Sequence, residues 1–340
     1  MKLYSNEIVF RGHPDKVCDQ ISDAILDEYL KGDKSSRCGI EVAGGKHAIY
    51  ITGEVTSKTK VDINKVVRKV LKDVGYHKNY YIINDLGVQS KDIALGTNEI
   101  IMGAGDQGQM FGYACSDTKE YLPLAQVILQ KLSIEYEKLR KKDSRFKSDG
   151  KAQITGYYEN NKLIKIKTFT ISYQNNEENR EETDNIVKRI ILKICSKYNI
   201  EVEEFLINPT GKFLIGGFDA DAGLTGRKIL VDNYQSFSKV GGGAFSGKDP
   251  TKVDRSGAYK ARQIAVSMLK KYNLEWCSVQ LCYAIGIEEP LSIFIDSNIG
   301  NINVDKSLYD ECKPRNIIKD LKLLEITYFD KAKYGHFYNN

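Results

Sequence analysis

Helical and alternating patterns of apolar residues take turns irregularly along this chain. In "HPDKVCDQISDAILDEYL", Val17, Ile21, Ala24 and Ile25 fall on one helical face, and Pro14 suits a first turn. "NKVVRKVLKDVG" repeats the helical spacing and stops at Gly75. Leu122 to Leu139, "NIVKRIILKICSKY" and "SGAYKARQIAVSMLKKY" are read as further amphipathic helices. "HAIYITGEV", from His47 to Val55, reads as a strand, and so does the apolar run "CSVQLCYAIGI". In "KLIKIKTFTISY" the alternation runs through Ile164 and Ile166, then Phe169, Ile171 and Tyr173. The phase slips at Lys167–Thr168, which predicts a long strand with a bulge. The class expected is α+β: antiparallel strands with helices on one face, used several times.

Between these elements, the basic "RKKDSRFKSDGK" and acidic "NNEENREETD" read as solvated connections. "QSKDIALGTNEIIMGAGDQG" is Gly-rich and polar, a lid or a plain loop. Turns that pair Gly with Asp recur as "GHPD", "GAGD" and "GGFDAD", a weak sign of duplicated units.

The length, 340 residues, allows two or three domains. With 41% hydrophobic and 28% charged residues the chain reads as soluble and globular. A net charge of +5 with no basic stripe interleaved with aromatics argues against nucleic acid and leaves a small anionic substrate open. No run approaches a membrane span, and no signal-peptide core begins the chain. Seven cysteines without a C-x-x-C read as reduced thiols in a cytoplasmic protein.

Three clusters carry candidate chemistry. "GGGAFSGKDPTKVDRS" fits G-x-x-x-x-G-K at Gly242, Gly247 and Lys248, but Asp249 stands where a phosphate loop needs Ser or Thr. "QSFSKV" before it is a poor strand, and Pro250 interrupts the pattern, so a phosphate loop is set aside. Exposed glycine N–H groups with Lys248, Lys252 and Arg255 could still hold polyphosphate, with Asp254 on a shared metal. An ordinary turn with ion pairs is equally open. "GGFDADAGLTGRK" offers Asp219 and Asp221 for a cation or amine, and Arg227 and Lys228 for phosphate. Its bland reading is a turn into a strand "KILVD". In "RGHPDK", Asp15 and Asp19 lie one helical turn apart at a helix start, where Asp15 favours the macrodipole and Pro14 pins His13.

Taken in order, "GHPDKVCDQISDAILD", "GAGDQGQMFGYA", "INPTGKFLIGG", "GLTGRKILVD" and "GGGAFSGKDPTKVDRSGAY" closely resemble the S-adenosylmethionine synthetase (methionine adenosyltransferase) family. The resemblance runs from about Ser5 to "YGHF", in a chain shorter than most members. It implies three similar α+β units about a pseudo-threefold axis, expected at 1–98, 106–214 and 215–340. It implies attack of the methionine sulfur on C5′ of ATP, with the triphosphate then cleaved to phosphate and pyrophosphate. Such a leaving group calls for electrostatic stabilisation, which suits cations drawn from distant segments.

By the same resemblance, His13 would lie by the leaving O5′. Lys151, Arg227, Lys228 and Lys248 would contact phosphates, with Asp254 supporting the metal region. Asp149, Lys212, Phe213 and Ala244 match nucleoside positions, with Phe213 stacking on adenine. Glu54, Gln89, Asp221 and Lys252 match methionine positions. Asp15 would bind Mg2+, with two such ions per site, and Glu41 would bind K+. Glu7 and Asp106 fall on other positions of the site. The family's dimers place these sites between subunits and often pair into tetramers.

The chain departs from the family at several positions. Arg11 stands where Glu is usual, Val240 and Asn175 stand where polar residues, often His, are usual, and the lid segment keeps Gln89 and Asp92 in a shorter form. Two rivals therefore stay beside methionine adenosyl transfer: a paralogue acting on another thioether or selenoether, and a non-catalytic nucleotide-binding subunit.

Overall fold

The computed structural model describes residues 1–89, 103–176 and 180–338. Along the chain the elements run β1 (Lys2–Val9), α1 (Pro14–Gly32), β2 (Arg37–Gly44), β3 (Ala48–Thr56), α2 (Ile63–Val74) and β4 (Tyr81–Gly87). There follow β5 (Gly108–Cys115), α3 (Leu124–Lys142), β6 (Phe146–Glu159), β7 (Lys162–Asn175), α4 (Arg180–Ser196), β8 (Val202–Ile207) and β9 (Gly223–Leu224). The last third holds α5 (Ile229–Asp232), α6 (Val253–Tyr272), β10 (Trp276–Tyr283), β11 (Ser292–Ser297), α7 (Lys306–Glu311), α8 (Pro314–Asp320) and α9 (Tyr328–Ala332).

Local chemistry sets the helix ends. His13 caps α1 through Nδ1, which accepts the Asp15 N–H at 3.2 Å, and Pro14 occupies the first turn. Asp62 caps α2, and Gly75 ends it at φ +93°, where a residue with a Cβ would be strained.

The strands form three sheets, ordered β1-β6-β7-β8, β4-β3-β2-β9 and β11-β10-β5. Each takes in a strand from an earlier or later part of the chain. β1 pairs with β6, β5 with β10, and the two-residue β9 with β2. The pattern helix, hairpin, helix occurs three times, as α1–β2–β3–α2, α3–β6–β7–α4 and α6–β10–β11–α7. The protein is thus an α+β fold of similar units. Helices cover one face of each sheet: Cys38, Ile40 and Val42 of β2 are buried, whereas Gly39 and Glu41 look to the other side. One apolar core joins α1, α2 and α6 with the sheets of β2 and β10, and a second lies between β1, β6, β7, α3 and α4.

The bulge expected in β7 is present, since Thr155 pairs with Thr168 and Gly156 with Ile166, skipping Lys167. Four expectations are corrected. Not all strands are antiparallel, because β3–β4 and β7–β8 are parallel, each pair joined by a crossover helix. "KILVD" is the short helix α5, not a strand. Much of "RKKDSRFKSDGK" is no solvated loop but the end of α3 and the start of β6, with Phe146, Ser148 and Asp149 buried. The apolar strand near "CSVQLCYAIGI" ends at Tyr283. Most of the lid segment, 90–102, lies outside the described residues.

Candidate active site

α1 organises the site through a row of aspartates one turn apart. Asp15 is buried; its Oδ1 accepts the Leu224 N–H at 2.9 Å, and its Oδ2 meets Lys228 Nζ at 2.5 Å. Arg227 Nε lies 3.5 Å from the same carboxylate. Asp19 accepts the Gly226 N–H at 2.9 Å and Lys16 Nζ at 3.0 Å. Asp23 takes the Gly247 N–H at 2.8 Å and the Arg255 guanidinium at 2.7 and 2.8 Å. Asp27 takes the N–H groups of Tyr328 and Phe329, both at 2.9 Å. One helix face therefore fixes three separate stretches far along the chain, 224–228, 247–255 and 328–329.

At the N-terminal end of that row, His13, Asp15, Arg227 and Lys228 form a first cluster. Gly223 passes so close to the Pro14 carbonyl that a Cβ there would collide with it, which explains a glycine in "GLTGRK". Burial, with the Lys228 charge, pushes the His13 pKa down to about 4, so its imidazole is neutral near pH 7. Because Nδ1 accepts a backbone N–H, the neutral ring carries its proton on Nε2. The charges of Asp221 and Lys151 also reach His13. Asp149 accepts the Gly217 N–H at 2.7 Å, and burial raises its pKa to about 6. Lys151 projects from β6 and pairs with Glu7 of β1 at 2.6 Å.

The glycine-rich stretch builds a second cluster. Its segment 247–252 lies along the free side of β2. Ile40 N–H donates to the Gly247 carbonyl at 3.0 Å, and Asp249 N–H to the Cys38 carbonyl at 3.1 Å. The Asp249 carboxylate, fully buried, accepts from the N–H of Cys38 and from both the N–H and hydroxyl of Thr251. The residue that spoils the phosphate-loop pattern is thus the anchor that ties this loop to the sheet. Lys248 and Lys252 emerge on either side of the anchor. Lys248 pairs with Asp254 at 2.5 Å, and Lys252 with Glu54 of β3 at 3.5 Å. Glu41 of β2 is half-buried, and burial raises its pKa against the opposing charge of Lys248.

The remaining candidates are more scattered. Ala244 lies against Gly226, whose φ of +77° and close approach leave no space for a side chain. Phe213 is half-buried, and its carbonyl accepts the Asn175 N–H at 3.0 Å, beside the exposed Lys212. Gln89 follows β4, and Asp106 precedes β5 with its carboxylate on the Gln107 N–H. Among the described residues neither bonds to the two clusters.

One candidate cation is reassigned. Arg255 does not face phosphate: it is wholly buried against Asp23 and over the Tyr328 ring. Sequence reasoning also missed Asp23, Asp27 and Asp232, although the four-residue period of the α1 aspartates was there to be seen. Arg11, which reverses the family's charge, turns away from the site to Gln20, Asp73 and Glu137.

Of the carboxylates expected on Mg2+, each cluster holds one, Asp15 or Asp254, and each of these already pairs with an ammonium. No group of three or more His, Cys, Asp or Glu able to hold a metal occurs among the described residues. Such a sparse carboxylate set suits Mg2+ only when substrate phosphates complete its shell. A half-buried Glu41 with a raised pKa is in turn suited to a monovalent cation that offsets its burial. The seven cysteines are free, all buried except the partly exposed Cys282. No helix of the described residues is long and apolar enough to cross a membrane. A cavity of about 560 Å³ between α1, α2 and residues 324–329 contains none of the candidate residues.

Three family models match consecutive parts of the chain. The S-adenosylmethionine synthetase N-terminal domain matches residues 1–93, the central domain 101–213 and the C-terminal domain 215–340. The chain is 41% identical to "S-adenosylmethionine synthase" of Clostridium tetani (strain Massachusetts / E88), over 99% of this chain and 94% of the relative. It is 42% identical to the protein of that name from Mycoplasmopsis synoviae (strain 53), over 99% and 92%. For Prochlorococcus marinus (strain AS9601) the identity is 41%, over 98% and 92%.

Proposed function

This chain belongs to the S-adenosylmethionine synthetase family, and on that premise we infer that it makes S-adenosylmethionine from ATP and L-methionine. It is a methionine adenosyltransferase: the sulfur displaces tripolyphosphate at C5′, and the tripolyphosphate is cleaved to phosphate and pyrophosphate. The observation that carries the residue assignments is the neutral His13 ring beside Asp15, Arg227 and Lys228, four groups from two distant segments.

In this reading His13 donates its Nε2 proton as a hydrogen bond to O5′ as the C5′–O5′ bond breaks. The proton stays on Nε2, and the hydrogen bond stabilises the charge that develops on O5′. Arg227 and Lys228, which share Asp15 in the free protein, turn to the phosphates, joined by Lys151 and Lys248. These cations can turn because they are themselves partly open to solvent: Lys151 is 47% and Arg227 50% exposed. Asp149, Lys212, Phe213 and Ala244 hold the nucleoside, and Glu54, Gln89, Asp221 and Lys252 hold methionine, whose ammonium and carboxylate need groups of both signs. Glu7 keeps Lys151 oriented until substrate enters, and Asp106 borders the site.

Asp15 and Asp254 would hold Mg2+, two ions per site, and Glu41 would hold K+. Mg2+ would supply charge neutralisation on the tripolyphosphate.

We place the working unit as a homodimer, paired further into a tetramer, in the cytoplasm. Two observations support the dimer. The two clusters rise from different elements, each with only one of the carboxylates expected on Mg2+. The sheet face that carries Glu54 leaves Tyr50, Tyr81 and Ile83 exposed on β3 and β4.

The test is a product assay with ATP, Mg2+, K+ and L-methionine, comparing the native chain with His13→Asn. The expected outcome is S-adenosylmethionine with one phosphate and one pyrophosphate from the native chain. The variant should lose adenosyl transfer about a hundredfold or more while still binding ATP. Full activity in His13→Asn would remove the role given to that ring.

A further inference from the structure

The turn from Phe10 to His13 delivers the imidazole from β1 to the head of α1. Its backbone is held at every step. Phe10 N–H donates to the Gly150 carbonyl at 2.8 Å, Gly12 N–H to the Ser148 carbonyl at 3.1 Å, and His13 N–H to the Phe10 carbonyl at 3.0 Å. The Tyr76 hydroxyl donates to the Gly12 carbonyl at 2.6 Å, and the Gln20 amide to the Arg11 carbonyl at 2.8 Å. A Cβ on Gly12 would collide with Ser148. The turn therefore sits against the strand segment that leads into Asp149 and Lys151.

Apart from Phe10, which stacks on Tyr136 in the core, one side chain leaves this turn away from the site. Arg11 is buried, with its side chain 4% exposed. Its Nε donates to Gln20 Oε1 at 2.6 Å, its Nη1 to Glu137 Oε1 at 3.1 Å, and its Nη2 to Asp73 Oδ2. Those partners stand on α1, α3 and α2. Glu137 is held in turn by Arg140 at 2.7 Å, and Arg140 also donates to the Asp73 carbonyl at 3.0 Å. Lys141 lies 3.5 Å from Asp73 and 3.4 Å from Glu137. The planar fork of a guanidinium can serve three acceptors at once, which an ammonium on a single point cannot match. A glutamate at position 11, usual in the family, would here face two carboxylates in a buried setting.

We propose that Arg11 is a positioning residue for adenosyl transfer: its guanidinium, by bridging Gln20, Asp73 and Glu137, fixes the turn that carries His13 against the strand that carries Lys151. The knot never touches substrate. It sets the distance between a group that serves the leaving oxygen and a group that serves the phosphates, which come from different units of the fold. Displacement of such a group by about 1 Å can cost about a hundredfold in rate.

The inference rests on the adenosyl-transfer reading above, and the experiment keeps the two apart. The full-length native chain is assayed first for S-adenosylmethionine, which tests that reading alone. Arg11→Met, Arg11→Lys and Glu137→Gln are then compared with it in two assays: adenosyl transfer from ATP and methionine, and cleavage of added inorganic tripolyphosphate. Loss of the knot should lower kcat for transfer about tenfold, with KM for ATP and methionine changed less than about twofold and tripolyphosphate cleavage largely kept. Arg11→Lys should recover part of the loss. The Arg11→Met and Glu137→Gln losses should fall short of additive when combined, since each breaks the same contact. A merely structural residue would lower both reactions by one common factor. That result, or unchanged transfer in Arg11→Met, overturns the proposal; if Arg11→Met does not fold, the Glu137→Gln ratio decides.

Discussion

Two sets of ion pairs lie in and around α1, and they are made of the same residue types. Toward its middle, Lys16, Asp19, Asp23, Asp232 and Arg255 are wholly buried and joined to one another and to backbone N–H groups. Burial works against the Lys16 charge, but Asp19 and Asp232 more than offset it and raise its pKa. At the N-terminal end and across the glycine-rich loop, Lys151–Glu7, Arg227–Asp15, Lys248–Asp254 and Lys252–Glu54 each retain some solvent exposure. The first set has no room for an incoming ligand. In the second the cations themselves reach solvent and can turn to a polyanion. Burial of the cations, and not residue type, separates scaffold from site, since Asp15 of the second set is itself buried.

The comparison breaks most visibly at Asp23. Asp23→Ala leaves the Arg255 guanidinium buried without its partner and the Gly247 N–H without an acceptor. Loss of a buried partner costs about 3–5 kcal/mol. The urea midpoint should fall accordingly, and the segment carrying Lys248 should loosen with it, so activity and stability drop together. An unchanged midpoint would mean that the Asp23–Arg255 pair is not the scaffold described.

A second break restores the phosphate-loop pattern. Asp249→Ser would make the stretch read G-x-x-x-x-G-K-S, the motif that the sequence nearly spells. If the motif were the working element, activity should rise or hold. The structure predicts the reverse, because the carboxylate ties Cys38 and Thr251 together. Hydrogen bonds to a charged group contribute about 1.5–3 kcal/mol, so a loss of about 2 kcal/mol is expected in denaturant unfolding.

pH offers a gentler probe at Asp27. Burial raises its pKa to about 7, against bonds from Phe329 and Tyr328. Between about pH 4 and 7 the unfolded chain has therefore released this proton while the folded chain still holds it. Folding binds a proton in that window, so the Asp27 contribution to stability falls as pH rises through it. Asp27→Asn cannot titrate. The unfolding free energy of the native chain minus that of the variant should decline from pH 4 to 7 and level off above. A flat difference would mean that the Asp27 carboxyl is not held protonated by its surroundings in the folded chain.

Much of this was legible beforehand, for identifiable reasons. The α1 helix announced itself by Pro14 and the spacing of Val17 and Ile21, and the β7 bulge by a slip in alternation. The two clusters were visible as glycines among cations. What escaped was direction. Asp254 and Arg255 are neighbours on α6, about 100° apart around its axis. One meets Lys248 and the other goes into the core. Composition cannot tell those faces apart. Strand partners escaped for another reason: β9 is two residues long and joins β2 from far along the chain, so no periodicity marks it. The parallel pairs β3–β4 and β7–β8 likewise depend on where α2 and α4 pack.

Lys248 gives the smallest effect on stability and the sharpest separation of the two sets. Its partner Asp254 is 13% exposed and Lys248 itself 18%, so water can reach what remains after Lys248→Ala. The unfolding free energy should move by no more than about 1 kcal/mol. Turnover should fall about a hundredfold or more, because a cation aimed at the leaving group acts only where charge develops. Asp23→Ala should lose both properties and Lys248→Ala only one. If Lys248→Ala proved as unstable as Asp23→Ala, the glycine-rich loop would belong to the scaffold, and its lysine would be a strut that merely lies near the phosphates.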